Sequence, residues 1–207
     1  MEFGRLDRMS AIFLSASVPN DEEGGRYFEN ADPFLIQFAV REFLTAALGR
    51  RLVVWGGHPA ITPMVWAVCE DLGVKYSDTV VLYQSRFFEE DFPEENAHFK
   101  NVEYVEASGD RKTSLYRMRK TMLSRKDLSA AVFIGGMGGI LVEHEMFSEY
   151  HPNAKVLAVG SPGGAAKELS VKIGIPEDKR EQLDFVELFH SELGIQPDEK
   201  RRSNLHG

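Results

Sequence analysis

The chain is expected to fold as one α/β domain, a Rossmann-like, mostly parallel sheet with helices on both faces. Three observations lead there. Short apolar runs of strand length alternate with amphipathic stretches at helical spacing, the pattern of a parallel sheet wrapped by helices. Glycine pairs follow three of the strand-like runs, at once at Gly56-Gly57 and Gly135-Gly136 and after a short turn at Gly163-Gly164. A length of 207 residues suits a single domain over 1–207, and neither an internal repeat nor a linker divides it.

The first strand is expected over Ala11 to Ser15, ending in the turn Ser15-Ala16-Ser17-Val18-Pro19, with a polar loop from Asn20 to Asn30 behind it. Asp32 then caps a helix that begins at Pro33, where a missing N–H costs nothing. That helix carries Leu35, Ile36, Ala39, Phe43 and Leu44 on one side and ends near Gly49. Strand two is Arg51 to Trp55, and after Gly56-Gly57 comes a helix from Pro63 to Leu72, stopped by Gly73. Strand three is Thr79 to Gln84. The acidic, aromatic segment from Phe87 to Phe99 has no clean period and reads as an exposed loop or lid. Strand four is Val102 to Glu106. The turn Ser108-Gly109-Asp110 then opens a helix over Thr113 to Ser124 with Leu115, Met118 and Met122 as its buried stripe. Strand five, Ala130 to Ile134, runs into Gly135-Gly136-Met137-Gly138-Gly139, and a helix from Ile140 to Tyr150 follows, closed by His151-Pro152. Strand six is Lys155 to Val159. A last helix, Glu177 to Leu193, presents Leu183, Val186, Phe189 and Leu193 on one side, so the core spans about 11–193 and the polar end is expected to be loose.

Composition excludes several classes of function. Hydrophobic residues at 43% and charged residues at 27% fit a soluble globular protein. A formal net charge of −8 opposes nucleic-acid phosphates, so no DNA or RNA partner is expected. No apolar run reaches the length of a membrane span, and the charged start does not fit a signal peptide. The single cysteine, Cys69, forms no internal disulfide and reads as a small core residue in a reducing, cytoplasmic setting.

In a parallel sheet the three glycine pairs fall on one edge, where open α/β folds bind ligands. Glycine lets the backbone come close to a guest, and the helix that follows aims free N–H groups and a positive dipole end at it, so a phosphate is the natural occupant. Taken singly, each pair is as well explained as a tight strand-to-helix turn. The spacing is neither the dinucleotide fingerprint GxGxxG nor a P-loop, since no GK[ST] follows, and no cofactor is expected. Pro162 at the centre of Gly160-Ser161-Pro162-Gly163 argues against a nucleophile elbow. His144 has no second histidine or cysteine at metal-ligand spacing, so no metal is expected. His58, directly behind Gly57, is placed to touch a phosphate, to give a proton, or merely to fill polar space.

Several stretches resemble the LONELY GUY (LOG) proteins and the wider SLOG superfamily. They are Phe13-Leu14-Ser15-Ala16-Ser17, Leu52-Val53-Val54-Trp55-Gly56-Gly57, and above all Met118-Arg119-Lys120 with Met122, followed by Val132-Phe133-Ile134-Gly135-Gly136-Met137-Gly138-Gly139. The last is similar to the family's arginine-lysine helix and its PGGxGTxxE turn, with the same interval between them, and the likeness runs from about Ala11 to Leu169. LOG enzymes cleave the N-glycosidic bond of nucleoside monophosphates, using the arginine of that helix together with the glutamate behind the turn. The resemblance carries the catalytic arginine over to Arg119, whereas Glu143 is a candidate catalytic residue only through a distorted turn; ligand or phosphate contact is expected of Ser15, Gly56, Gly57, His58, Arg119, Lys120, Gly135, Gly136, Met137, Gly138 and Gly139. It departs from the family in two ways. Ile134 and Gly139 replace proline and threonine, and Val142 occupies the glutamate position. Glu143 stands one residue late and Glu145 three late. One residue on a helix is a rotation of about 100°, enough to turn a carboxylate away from a pocket.

Three functions follow as expectations. The first is binding of a nucleotide-derived, phosphate-bearing small molecule by a sensor or regulatory module, of the kind associated with bacterial defence, with an effector protein as partner. The second is a phosphoribohydrolase. The third is a structural oligomerisation domain, and LOG proteins being homodimers implies a homo-oligomer. The direction of the Glu143 side chain separates the first two: convergence with Arg119 on one cavity favours the enzyme.

Overall fold

The computed structural model describes residues 9–22 and 25–203. Six strands form one sheet: β1 (Ala11–Ser17), β2 (Leu52–Trp55), β3 (Val80–Ser85), β4 (Val102–Val105), β5 (Leu128–Gly135) and β6 (Lys155–Val159). Their order is β4-β3-β2-β1-β5-β6, and every pairing is parallel. The chain steps outward from β1 to β4, then returns to lay β5 on the other side of β1. Connections leave β1 and β5 in opposite directions, so a crevice opens beyond their carboxyl ends.

The helices are α1 (Arg26–Glu29), α2 (Pro33–Ala47), α3 (Thr62–Leu72), α4 (Arg111–Leu123), α5 (Gly138–Tyr150), α6 (Gly164–Lys172), α7 (Glu177–Arg180) and α8 (Phe185–Leu193). Strand side chains alternate between faces, and this sorts the core into two layers. Ile12, Leu14 and Ala16 of β1 pack with α2, α3 and α8, while Ala11 and Phe13 pack with α4, α5 and α6. Phe13 stacks on Phe147 at 6.3 Å and meets Phe133 edge-on at 6.0 Å, which seats α5 against β1.

The α/β class and the parallel sheet agree with the sequence, and Asp32 caps α2 by accepting the Phe34 and Leu35 N–H groups. Other elements differ. Helix α6 has no counterpart in the sequence reading, because its buried residues are mostly small (Ala165, Ala166, Leu169, Ser170) and draw no strong apolar stripe. The expected helix from Glu177 to Leu193 is two helices. Asp184 caps α8 by accepting the Glu187 N–H at 2.9 Å, which fixes a face of Phe185, Leu188 and Phe189 and leaves Leu183 and Val186 exposed. The segment after β3 folds into two short 3-10 stretches, Arg86–Asp91 and Glu94–His98. It is docked: Trp66 stacks on His98 at 4.5 Å, and Phe99 and Asn96 are buried. The polar end is held rather than loose as far as residue 203. Ile195 is buried, and Arg201 donates to the carbonyls of Leu48 and Thr45 at the end of α2.

Candidate functional site

The carboxyl ends of β1, β2 and β5 open on a cleft of about 470 Å³. Ser15 continues the Ala11–Phe13 face of β1, so its hydroxyl emerges toward α5. Ser15 Oγ donates to Glu143 Oε2 at 2.5 Å, and Arg119 Nε donates to Glu143 Oε1 at 2.9 Å. The Arg119 and Glu143 side chains are 16% and 15% exposed. They are shielded enough to attract one another more strongly than a surface pair, yet both line the open cleft.

Local structure explains each placement. A capping box starts α4: the Asp110 carboxylate accepts the Thr113 N–H at 2.8 Å, and Thr113 Oγ1 accepts the Asp110 N–H at 3.1 Å. Met118 and Met122 then bury against the sheet, which turns Arg119 sideways toward α5. Helix α5 opens from extended Met137, whose side chain makes no cap hydrogen bond, and Met137, Gly138 and Gly139 line the cleft. Ile140 N–H is taken by the Met137 carbonyl at 3.0 Å, which leaves the Gly138 and Gly139 N–H groups at the open end of the helix. Arg119 Nη2 lies 2.8 Å from the point that a Cβ on Gly139 would occupy. The guanidinium thus leans over the positive end of α5. Among the described residues lining the cleft, Glu143 is the only acid, and Arg111 and Arg119 line it with Glu143. An anion is the guest this favours.

A second cavity of about 750 Å³ adjoins the first and shares Gly56, Gly57, His58, Arg111, Leu115 and Met118 with it. His58 Nδ1 accepts the Ala60 N–H at 3.2 Å, which places the proton of the neutral ring on Nε2.

The structure brings together Ser15, Gly56, Gly57, His58, Arg119, Met137, Gly138, Gly139 and Glu143. It does not bring the others there. Lys120, one step around α4 from Arg119, is exposed and lines neither cavity. Gly135 and Gly136 are buried in the turn itself. Gly136 donates to Ser17 O at 2.8 Å, and a Cβ on Gly135 would stand 2.6 Å from Ile36 Cδ1. Gly163 and Gly164 share the same sheet edge, but a Cβ on Gly164 would meet Gly135 at 2.6 Å, so this pair serves close backbone packing. Glu145 is exposed and faces Lys172 at 3.6 Å. Among the described residues, no group of three or more His, Cys, Asp and Glu is placed to hold a metal ion. Sequence reasoning missed Arg111, Gln84 and Trp55, and took Leu115 and Met118 for core alone although both also line the cleft. Arg111 at the first position of α4 and Gln84 near the end of β3 both lie at the ligand-binding edge, which is the signal that finds them.

A model of the SLOG cluster3 family matches residues 26–193, spanning α1 to α8 and every glycine turn described above. The chain belongs to the SLOG cluster3 family. Membership points to a nucleotide-related ligand or a LOG-like function, consistent with a cleft built to attract an anion. No curated protein and no solved structure matches the chain significantly.

Proposed function

We propose that the cleft binds a nucleoside 5′-monophosphate or a related nucleotide and hydrolyses its N-glycosidic bond. The observation that carries this reading is the convergence of Glu143 and Arg119, joined at 2.9 Å, on one cavity beside the open end of α5. The phosphate would sit on the Gly138-Gly139 turn, next to the guanidinium. Glu143 would face the sugar, where a carboxylate stabilises the positive charge that grows as the C1′–N bond breaks, and takes a proton from the attacking water. The water oxygen bonds C1′, the electron pair of the broken bond stays with the base, and the departing nitrogen takes its proton from solvent. Glu143 then passes the proton it took from water to solvent and regains its starting state.

One observation favours pure binding by a SLOG sensor. Both Glu143 oxygens already accept hydrogen bonds, from Ser15 and Arg119, so the carboxylate can serve as a clamp that positions Arg119. Release of free base from a panel of nucleoside monophosphates, read alongside calorimetric binding, separates the two. For the enzyme, Glu143→Gln and Arg119→Ala each lower base release by about 100-fold or more while the protein stays folded. Arg119→Ala also weakens nucleotide binding by about 1.5–3 kcal/mol, the range for a hydrogen bond to a charged group. Wild-type protein that binds a nucleotide and never releases its base is a sensor.

A further inference from the structure

The larger cavity beside the cleft is not used by the Arg119–Glu143 chemistry. It lies beyond Gly57, under the 3-10 segment that follows β3, and its apolar wall includes Phe88 and Phe92. Both rings are half-buried and braced from behind: Phe92 stacks on Tyr104 at 5.9 Å, and Phe88 meets Phe87 edge-on at 5.0 Å. Gln84 also lines this cavity. It is 4% exposed, and its Nε2 has no hydrogen-bond partner among the described residues. A buried amide donor without a partner is costly and calls for an explanation, and a ligand acceptor supplies one. Gly57 separates the two cavities at φ +64°, and any Cβ there would collide with the Gln84 amide and stand 2.8 Å from Leu82 Cδ1. Glycine therefore leaves the Gln84 amide room directly beneath the passage from one cavity to the other.

Charge sets the direction in which a ligand would lie. Arg111 lines both cavities; the smaller adds Arg119, its partner Glu143 and the open end of α5, whereas the larger adds Asp91, the Gln84 amide and the rings of Phe88 and Phe92. An anionic end is attracted to the first and a flat, uncharged, hydrogen-bonding ring to the second.

We propose that the larger cavity is the base subsite of the same ligand, with Phe88 and Phe92 covering the ring and the Gln84 amide reading its edge. This rests on the nucleotide reading of the cleft. It makes Gln84 the residue that sorts one nucleobase from another, since an amide offers both a donor and an acceptor to a planar edge.

The test compares ribose 5-phosphate, which has no base, with AMP, GMP, CMP and UMP by calorimetry while base release is followed. The best nucleotide should bind roughly 5- to 150-fold more tightly than ribose 5-phosphate, the span expected for a base stacked on an aromatic side chain. Phe92→Ala, and Phe92→Leu as the variant that keeps bulk, should shrink that ratio at least fivefold and leave ribose 5-phosphate binding unchanged. Gln84→Met keeps the side-chain length, flattens the preference among the four nucleotides, and should not lower the melting temperature, because it removes a donor that has no partner. The proposal is overturned if ribose 5-phosphate binds as well as every nucleotide. It is equally overturned if the ratio and the base preference survive in all three variants, or if Gln84→Met lowers the melting temperature without touching preference. Failure of both ribose 5-phosphate and the nucleotides to bind would instead remove the nucleotide reading of the cleft, and the base subsite with it.

Discussion

Replacing Gly139 by alanine tests how the site is assembled without removing any functional group. Gly138 and Gly139 are adjacent in the first turn of α5, and neither has a positive φ, so the backbone accepts alanine at both. A methyl on Gly138 meets nothing within 4 Å, whereas one on Gly139 lies 2.8 Å from Arg119 Nη2. Alanine in place of glycine favours a helix by at most about 0.8–1 kcal/mol, and by less in the first turn. At 139 that gain is opposed. The tip of the guanidinium must shift, and the largest loss this can cause is that of the Arg119 Nε–Glu143 bond, a charged hydrogen bond of about 1.5–3 kcal/mol. Gly138→Ala should therefore be neutral or slightly stabilising. Gly139→Ala should come out less stable than Gly138→Ala, with about 1.5–3 kcal/mol as the ceiling set by complete loss of that bond. Urea denaturation of the two variants and the wild type reads this directly, and nucleotide titration should show Gly139→Ala binding more weakly than wild type. Equal stability for the two variants would mean that Arg119 moves aside without cost, and the described clamp would not be what holds it.

Three other outcomes follow from the structure. Gly57→Ala should destabilise by at least about 1 kcal/mol from its left-handed φ alone, with more from displacing Gln84, measured by the denaturation midpoint. Burial pushes the Cys69 thiol up to about 12, so iodoacetamide at pH 8 should leave native protein unmodified and label it only once unfolded. Burial, and then Lys172, hold the His144 pKa below its ordinary value against the opposing pull of Glu145. The unfolded chain therefore binds this proton at a higher pH than the folded one, and stability should fall as pH drops below about 6.5. His144→Gln should flatten that part of the urea-midpoint profile between pH 7.5 and 5.5, and an unchanged slope would assign the dependence to other groups.

The sheet was legible because its strands are apolar runs punctuated by glycine, and four of the six are buried along every residue or all but one. Helices that carry large residues at regular spacing were legible for the same reason. Helix α6 was not, since alanine and serine bury too little to mark a face, and the face of α8 was misread because a cap at Asp184, rather than the spacing of Leu183 and Val186, sets it. At the site, Arg119 was legible through the resemblance to the LOG arginine-lysine helix, and the burial of Met118 and Met122 gives the physical reason for its direction. Glycines that contact a ligand could not be told from glycines that pack turns. Gly138 and Gly135 look alike in sequence, and only the neighbouring Ile36 shows that the second is enclosed.

The position of Glu143 follows from the same local geometry. One residue past the family position, it would be turned by about 100° if only the helix mattered. In the structure Val142 and Glu143 both line the cleft, because the cavity spans that arc and a glutamate reaches two methylenes further than its backbone. Ser15 and Arg119 draw its two oxygens inward. Gly139, where the LOG pattern has threonine, leaves room for the tip of Arg119: a Cβ there would lie 2.8 Å from Nη2. The missing side chain at 139 lets the guanidinium lean over the start of α5, and from there it meets a carboxylate one residue later along the helix.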